Sequence, residues 1–213
     1  MLLDTRPKQR FLHPVGSPDR VPEVVIKVIS PGSNNLEAIR THFQDLQNGE
    51  NRALEMDFFC TPVVGKQAAR ALVDDWDLDL DVLYWRLPGV PRRRVTPKLV
   101  HKILFSMPSG TPPDKLLAAV RRFAQQQFAD RHRYALALHT DEPHPHVHMV
   151  LKAFTEGWEN RLNIRKPMLH QWRMEFAHLL IAQGIPAKAT RCSARRLRAL
   201  IRGPVWSARR YGT

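Results

Sequence analysis

The stretch His139-Thr-Asp-Glu-Pro-His-Pro-His-Val-His148 places four histidines within ten positions. It continues into residues 149–153, an apolar run typical of a β-strand. Successive side chains of an extended chain point to opposite faces, so His146 and His148 lie on the same face of this predicted strand. The pattern therefore predicts a strand that presents two imidazoles on one side.

A second predicted strand, residues 133–139, ends in His139, and only the turn-rich residues 140–143 follow before the histidine pair. A hairpin would bring His139 back beside that pair. Three converging imidazoles form an open metal site with nitrogen ligands, so we expect one divalent ion, Mg²⁺, Mn²⁺ or Zn²⁺. Asp141 is placed to orient one of the rings. The alternative is a polar surface hairpin, because isolated histidines are usually exposed or satisfied core residues.

The bulk composition favours a polyanionic partner. The chain has 213 residues, 43% of them hydrophobic, which suffices for one well-buried domain. Its net charge is +13 and its pI is near 10.5, which favours nucleic acid and disfavours a metallohydrolase acting on a small substrate. Cys60 and Cys192 have no spacing that implies a disulfide or a thiolate site. With no long apolar run and no signal-peptide core, we expect a cytoplasmic protein without membrane insertion.

Three segments are expected along the chain. Residues 1–23, with four prolines and no periodicity, predict a mobile arm. Residues 24–187 alternate strand and helix patterns, which predicts an α+β fold: an antiparallel-dominated central β-sheet with helices packed on it. Residues 188–213 contain no acidic residue and seven arginines. This basic C-terminal segment is either a helix or a tail that binds DNA, or alternatively a solvated linker.

Helix boundaries follow from capping patterns. Asn34 and Glu37 are spaced as an N-cap and its partner three residues later. Thr111, Pro112 and Asp114 predict a second helix start, with Thr111 as the N-cap. The other predicted strands are residues 24–29, 53–59 and 98–107, and the last of these mixes polar and apolar residues. The other predicted helices are residues 66–76 and 167–182. Gly184 is expected to adopt the left-handed conformation after the last helix.

The motif His-x-Asp-x-x-His-Pro-His-Val-His-x-Val resembles the three-histidine motif of the HUH endonuclease superfamily, specifically the P-type relaxases of conjugative and mobilisable elements. Residues 104–111, Leu-Phe-Ser-Met-Pro-Ser-Gly-Thr, resemble the strand and turn that precede this motif. Residues 161–166 and the helical segment after them resemble the part that follows it. The resemblance extends over most of the chain from residue 24 to about residue 189.

The resemblance implies a relaxase-like sandwich with the histidines on central strands. It implies that His139, His146 and His148 bind the metal and that Asp141 is the orienting carboxylate. The implied activity is nicking and strand transfer on single-stranded DNA at an origin of transfer, through a tyrosine that forms a 5′-phosphotyrosine. Relaxosome accessory proteins and a type IV secretion coupling protein are the further partners it implies.

Several basic residues are candidate DNA contacts. A run of three arginines follows Pro91, and others follow the histidine motif or lie in the C-terminal segment. By strand parity His144 lies on the face of the histidine pair, but Pro145 is expected to bend it away from the metal, so His144 either contacts DNA or supports a metal ligand. The full set of candidates is His144, Arg92, Arg93, Arg94, Arg161, Arg165, Lys166, Arg195 and Arg196.

The nucleophile departs from the family pattern. In residues 42–46, His-Phe-Gln-Asp-Leu, the position of the family tyrosine holds Asp45. The chain has only Tyr84, Tyr134 and Tyr211; by strand parity Tyr134 faces the core, and Tyr211 is close to the C-terminal end.

Two functions therefore remain open. The first is a nicking and joining enzyme whose nucleophile is Tyr84 or a metal-activated water, with Asp45 as an extra ligand or as the base for water. The second is a non-cleaving relative that binds origin DNA as an accessory of the transfer complex. Asp45 could also be an ordinary solvated residue on the polar side of its helix.

Overall fold

Helices and strands alternate through the part of the chain that the computed structural model describes: residues 21–29, 34–47, 54–56, 61–63, 66–78, 97–156, 158 and 160–190. In chain order the elements are β1 (Val25–Ile29), α1 (Leu36–Gln47), β2 (Leu54–Met56), β3 (Thr61–Val63), α2 (Lys66–Asp75), β4 (Val100–Ser106), α3 (Pro113–Phe128), β5 (Tyr134–His139), β6 (His146–Lys152) and α4 (Lys166–Ala182). Among these residues, no helix is long and apolar enough to cross a membrane.

The strands form one sheet in the order β1-β4-β6-β5-β2-β3, and every neighbouring pair is antiparallel. β4 and β6 are central, and β5 joins β6 through the predicted hairpin. The predicted fold class, α+β with an antiparallel sheet and helices packed on it, is confirmed.

The sheet has two differently covered faces. Residues opposite each other in antiparallel strands share a face, so Leu104 on β4, His148 on β6 and Ala137 on β5 lie in one row. We call the face that carries this row and the histidine motif the histidine face. On it, Ile39 and Phe43 of α1 pack together with α2 and with small and branched residues of the central strands.

The opposite face carries the larger aromatic core. Phe105 of β4 lies 5.2 Å from the ring of Phe123 on α3 and 5.1 Å from the ring of Phe176 on α4, both in edge-on geometry. Tyr134 also belongs to this core and is 1% exposed, as strand parity predicted. Helices on both faces explain why β4, β5 and β6 are almost entirely buried.

The polar residues that made β4 look mixed in sequence are themselves buried. His101 and Lys102 are each 6% exposed. Nε2 of His101 donates a hydrogen bond to the carbonyl of Leu162 over 3.0 Å. This nitrogen of the buried ring therefore has a hydrogen-bond partner. Lys102 lies on the histidine face.

Both predicted helix caps are wrong by one residue. The side chain of Asn35, not Asn34, accepts a hydrogen bond from the backbone N–H of Ala38 over 3.1 Å. Before α3, Pro112 is extended because the following proline disfavours helical geometry, so the helix starts at Pro113. Thr111 instead donates its hydroxyl to the carbonyl of Pro108 over 2.8 Å and stabilises the preceding turn.

The end of α4 follows the prediction. Gly184 has φ +76°, and the N–H of Ile185 donates to the carbonyl of Leu180 over 2.9 Å. This six-to-one hydrogen bond is the Schellman closure that a left-handed glycine permits. The helix itself begins at Lys166, one residue before the predicted start.

The chain segment after α4 pairs with the segment before β1. Glu23 forms a parallel bridge with Lys188, and the N–H of Val24 donates to the carbonyl of Lys188 over 3.0 Å. The predicted arm, apart from residues 21–23, and residues 191–213 of the basic segment lie outside the described residues. The proposed segment boundaries stay a prediction.

Candidate metal centre

Three histidine rings meet at one end of the central hairpin. His139 ends β5 and lies directly opposite His146, which begins β6. The ring centroids are 5.2 Å apart for His139 and His146, 4.7 Å for His139 and His148, and 5.2 Å for His146 and His148. One nitrogen of each ring lies within 4.8 Å of the other two. The hairpin inferred from the sequence thus brings the three predicted ligands together as a triad.

The turn that joins the strands is fastened to the end of β4. The N–H of Ser109 donates to Nδ1 of His144 over 3.0 Å, and the N–H of Met107 donates to the carbonyl of Pro145 over 3.3 Å. The hydroxyl of Ser106 donates to the same carbonyl over 3.4 Å. His144 is therefore directed toward the segment after β4, outside the triad, and its role in DNA binding stays a prediction.

Two backbone carbonyls set the orientation of two triad rings. His139 donates from Nε2 to the carbonyl of Leu46 over 3.2 Å, and His146 donates from Nδ1 to the carbonyl of His144 over 3.0 Å. A neutral imidazole has one donor and one acceptor nitrogen. These bonds make Nδ1 of His139 and Nε2 of His146 the nitrogens that can bind a metal.

Sequence reasoning assigned ring orientation to a carboxylate, Asp141, which lies exposed in the turn. Its role stays a prediction. The carbonyls could not be identified from the sequence, because every residue has one and only the packing decides which of them meets a ring.

The donor set fits a divalent cation. Three neutral imidazoles leave positions for substrate oxygens, and imidazole is a good ligand for Zn²⁺ and other first-row divalent metals. His139 and His146 are 9% and 4% exposed, so the centre is largely shielded from solvent.

Helix α1 supplies a fourth imidazole that sequence reasoning did not identify. The ring of His42 lies edge-on to His148 at 6.2 Å between centroids. Burial, followed by the charges of Lys102 and His139, lowers the pKa of His42 to about 3, so this ring is neutral. Its buried Nε2 has no hydrogen-bond partner among the described residues. No local sequence signal identifies this contact, because the packing of α1 on the sheet decides it.

Asp45 lies on the same helix and is half-buried. Its carboxylate raises the pKa of Lys102, against a larger lowering caused by burial of the ammonium group. Asp45 is thus electrostatically coupled to a buried lysine, and the alternative that it is an ordinary residue on the polar side of its helix stays open. Whether it also serves the metal or a water stays a prediction.

Other predicted residues are far from the triad or outside the described part. Arg161 is exposed, bridges Phe154 beyond the far end of β6 and places its guanidinium 5.8 Å from that ring. Eight residues of extended chain separate Phe154 from His146, or about 25 Å. Arg165 and Lys166 are exposed where α4 begins. Tyr84, Arg92, Arg93, Arg94, Arg195 and Arg196 lie outside the described residues.

Comparisons with known proteins identify the class of this domain. Residues 90–185 match the family model described as "Relaxase: MobA/VirD2-like, nuclease domain". The T-DNA border endonuclease VirD2 of Agrobacterium fabrum is 26% identical over 194 residues, which cover 84% of this chain and 41% of that protein. The protein of the same name from Rhizobium rhizogenes is 25% identical over 204 residues, covering 88% and 44%. The chain thus spans about four-tenths of the length of these curated relatives.

A solved structure supports the fold. The MobM relaxase domain (MOBV; Mob_Pre) bound to 26nt pMV158 oriT DNA matches with a TM-score of 0.50 and 10% identity, over 80% of this chain and 95% of that one.

The three histidines on the central hairpin of an antiparallel sheet, together with these similarities, support an HUH relaxase or mobilisation nuclease. Residues 90–185 are the part that matches the MobA/VirD2-like nuclease domain. The resemblance inferred from the histidine motif is confirmed.

Proposed function

We propose that this chain nicks single-stranded DNA at an origin of transfer and transfers the cut strand, using one divalent metal held by His139, His146 and His148. The observation that carries the proposal is the convergence of three imidazole rings in a relaxase nuclease domain. The solved relative named above is itself bound to oriT DNA. The net charge of +13 supports a nucleic-acid substrate here.

The triad is suited to phosphodiester chemistry. A divalent ion bound there supplies polarisation of the scissile phosphoryl group and neutralises the charge that develops on its oxygens. The carbonyls of Leu46 and His144 hold the two rings in one tautomer, so the ligand nitrogens are oriented before DNA arrives. The half-buried position of His148 leaves one side of the centre accessible.

The nucleophile must satisfy a chemical constraint. A carboxylate at position 45 would form a mixed anhydride with phosphate, which hydrolyses and cannot wait for strand transfer. For strand transfer we therefore propose Tyr84, since a phosphotyrosine ester conserves the bond energy until the strand is rejoined. If water attacks instead, Asp45 is the candidate base and the product is a simple nick.

A non-cleaving role is the alternative that the aspartate at position 45 leaves open, although the similarity to relaxase nuclease domains favours nicking. In that case the chain binds origin DNA as an accessory of the transfer complex. Under either proposal, relaxosome accessory proteins and a type IV secretion coupling protein are the expected protein partners.

One experiment separates the two. End-labelled single-stranded oligonucleotides that tile the DNA flanking the encoding gene are incubated with the protein and Mn²⁺ or Mg²⁺, and products are resolved on denaturing gels. Site-specific cleavage, absent in His146→Ala/His148→Ala, supports the enzyme. Specific binding of one oligonucleotide without cleavage or adduct would support the accessory role and contradict the nicking proposal.

A further inference from the structure

The outward side of α4 has no acidic residue, lysine or arginine between residues 167 and 182, all of which the structure describes. Its exposed positions are Pro167, Gln171, Met174, His178, Ile181 and Ala182. The two charged residues between them are half-buried and bond to the body of the domain. Arg173 donates to a carbonyl of β1 over 3.4 Å, and Glu175 accepts from Gln127 of α3 over 2.9 Å. The charged groups of α4 therefore lie on its flanks.

The neighbouring helix α3 has a different exterior. Its exposed positions include Asp114, Lys115, Arg122 and Gln126. On α4, by contrast, Met174 and Ile181 are 46% and 53% exposed. They are seven residues apart, so they lie on one side of the helix, about 10 Å from each other. An exposed apolar pair on an uncharged helix face is the composition of an interaction site.

The sequence after the described residues contains a segment of matching character. Residues 193–202, which we call the arginine segment, read Ser-Ala-Arg-Arg-Leu-Arg-Ala-Leu-Ile-Arg. A serine opens the segment and Gly-Pro follows it, and these are favourable start and stop signals for a helix. Leu197, Leu200 and Ile201 recur at helical spacing, with the arginines on the other side. The pattern predicts a short amphipathic helix that needs a partner surface, because isolated helices of this length are marginal in water.

The described chain ends close to α4. The N–H of Ile185 closes this helix on the carbonyl of Leu180. Five residues later, Thr190 donates its hydroxyl to the carboxylate of Glu23. An extended chain covers at most about 17 Å between residues 185 and 190, so the arginine segment begins near the C-terminal end of α4. A helix that starts there and packs along α4 runs antiparallel to it.

We propose that the arginine segment forms a helix that docks antiparallel on the outward side of α4, with its leucine and isoleucine side chains against Met174 and Ile181. The two apolar stripes have equal length, since residues 174–181 and residues 194–201 each span about 10 Å of helix. The arginines then face away from α4. This inference goes beyond the proposed function, because the contact is made within the chain and without DNA.

Hydrogen–deuterium exchange of the full chain, measured without DNA and followed by mass spectrometry, tests the docking. The amides of the arginine segment should exchange at least about tenfold more slowly than those of a synthetic peptide of residues 190–213. Met174→Ser/Ile181→Ser should bring this exchange to the rate of the peptide, because the apolar surface under the segment is removed. Leu197→Ser/Leu200→Ser should do the same from the other side of the contact. Combining the four changes should have no further effect, since both pairs break one contact.

Val21→Ser is the matched control. Val21 is also 46% exposed but is not part of α4, so protection should stay at the wild-type level. Wild-type exchange equal to that of the peptide would overturn the inference. Protection that persists in Met174→Ser/Ile181→Ser, with thermal melting showing a folded protein, would overturn it as well. Sedimentation velocity identifies the competing occupant: a dimer that this variant dissociates would assign the α4 face to a second copy of the chain and contradict docking within the chain.

Discussion

The main-chain oxygen of Leu46, in the last turn of α1, accepts a hydrogen bond from Nε2 of His139 over 3.2 Å. This bond joins elements 93 residues apart in sequence. It fixes the tautomer of a predicted metal ligand and sets the end of α1 against the triad. His42, one helical turn before Leu46, lies beside the centre as well, with its ring 6.2 Å from that of His148.

The triad should bind one divalent ion per chain. His146→Ala/His148→Ala should abolish stoichiometric Mn²⁺ or Zn²⁺ binding, because two of three nitrogen donors are removed. Elemental analysis after dialysis measures the metal content, and circular dichroism checks the fold. His144→Ala is the control, since that ring bonds Ser109 outside the triad and its carbonyl remains. Full metal content in the double variant would exclude this site.

Asp45→Tyr should create a covalent DNA adduct on the introduced tyrosine. The hydroxyl would lie near Lys102, and a nearby ammonium stabilises a phenolate. Denaturing gels with labelled oligonucleotide detect the adduct, and Asp45→Phe is the control without a hydroxyl. Absence of an adduct in a folded, metal-bound Asp45→Tyr protein would show that position 45 does not face the scissile phosphate.

The same gels locate a native nucleophile. A wild-type adduct that Tyr84→Phe abolishes assigns Tyr84. If the wild-type adduct survives Tyr84→Phe but disappears in His42→Gln, the assignment to Tyr84 is wrong. The nucleophile would then be His42 on α1. Acid treatment of the adduct distinguishes the two nucleophiles. A phosphorus–nitrogen bond to histidine is labile in acid, whereas a phosphotyrosine ester is stable.

Asp45 should also contribute to stability through Lys102. Asp45→Asn leaves the buried ammonium of Lys102 without its nearby negative charge. We expect the free energy of unfolding to fall by about 1–2 kcal/mol. This is less than the loss for a fully buried ion pair, because Asp45 is only half-buried. Urea denaturation measures this. Glu37→Gln, whose side chain is 79% exposed on the same helix, should change stability much less. Adding Lys102→Met should recover most of the loss, and additive effects in this cycle would refute the coupling.

Stability should fall as the pH drops below about 6.5, in part through His101. Burial lowers the pKa of His101 below its usual 6.5, so the folded protein keeps the ring neutral while the unfolded chain binds a proton. The unfolded state then holds more protons throughout the window between the lowered pKa and 6.5, and the free energy of unfolding rises with pH there.

His101→Gln tests the contribution of His101 to the pH dependence of stability. Glutamine can still donate a hydrogen bond to the carbonyl of Leu162 but does not titrate. Thermal melting of metal-free protein between pH 5 and pH 7 should show a weaker dependence in the variant, on the order of 1 kcal/mol over one pH unit at most. An identical pH profile would mean that His101 titrates alike in both states. His178→Gln, on α4, is a control for the loss of a histidine as such.

The hairpin and its triad could be predicted because their signals are local. Alternation places His146 and His148 on one face, and a short turn returns His139. The helix starts were off by one residue because neighbouring positions offer competing caps: two adjacent asparagines before α1, and two adjacent prolines before α3. The sequence did not predict β3, because this strand has only three residues and Pro62 is at its centre. A proline is tolerated in β3 because this strand lies at the edge of the sheet.

The neighbours of the triad could not be predicted. Lys102 and His42 are 60 residues apart and come together only because α1 packs across the central strands. The sequence predicts only a strand with mixed polar and apolar residues around Lys102, and a helix around His42. Tertiary packing decides such contacts, and no local pattern records them.

The bridge between Glu23 and Lys188 fixes the position of Lys188, the first residue of the basic C-terminal segment. Glu23 precedes Val25 by two residues, and Val25 lies opposite Ser106, which lies opposite His146. Lys188 therefore lies at the end of the sheet that carries the triad, and seven arginines follow residue 190 in the sequence. DNA captured by this segment would meet the triad at an effective concentration on the order of millimolar, as in an intramolecular reaction. A peptide of residues 191–213 supplied in trans would then be a poor substitute for the covalently attached segment.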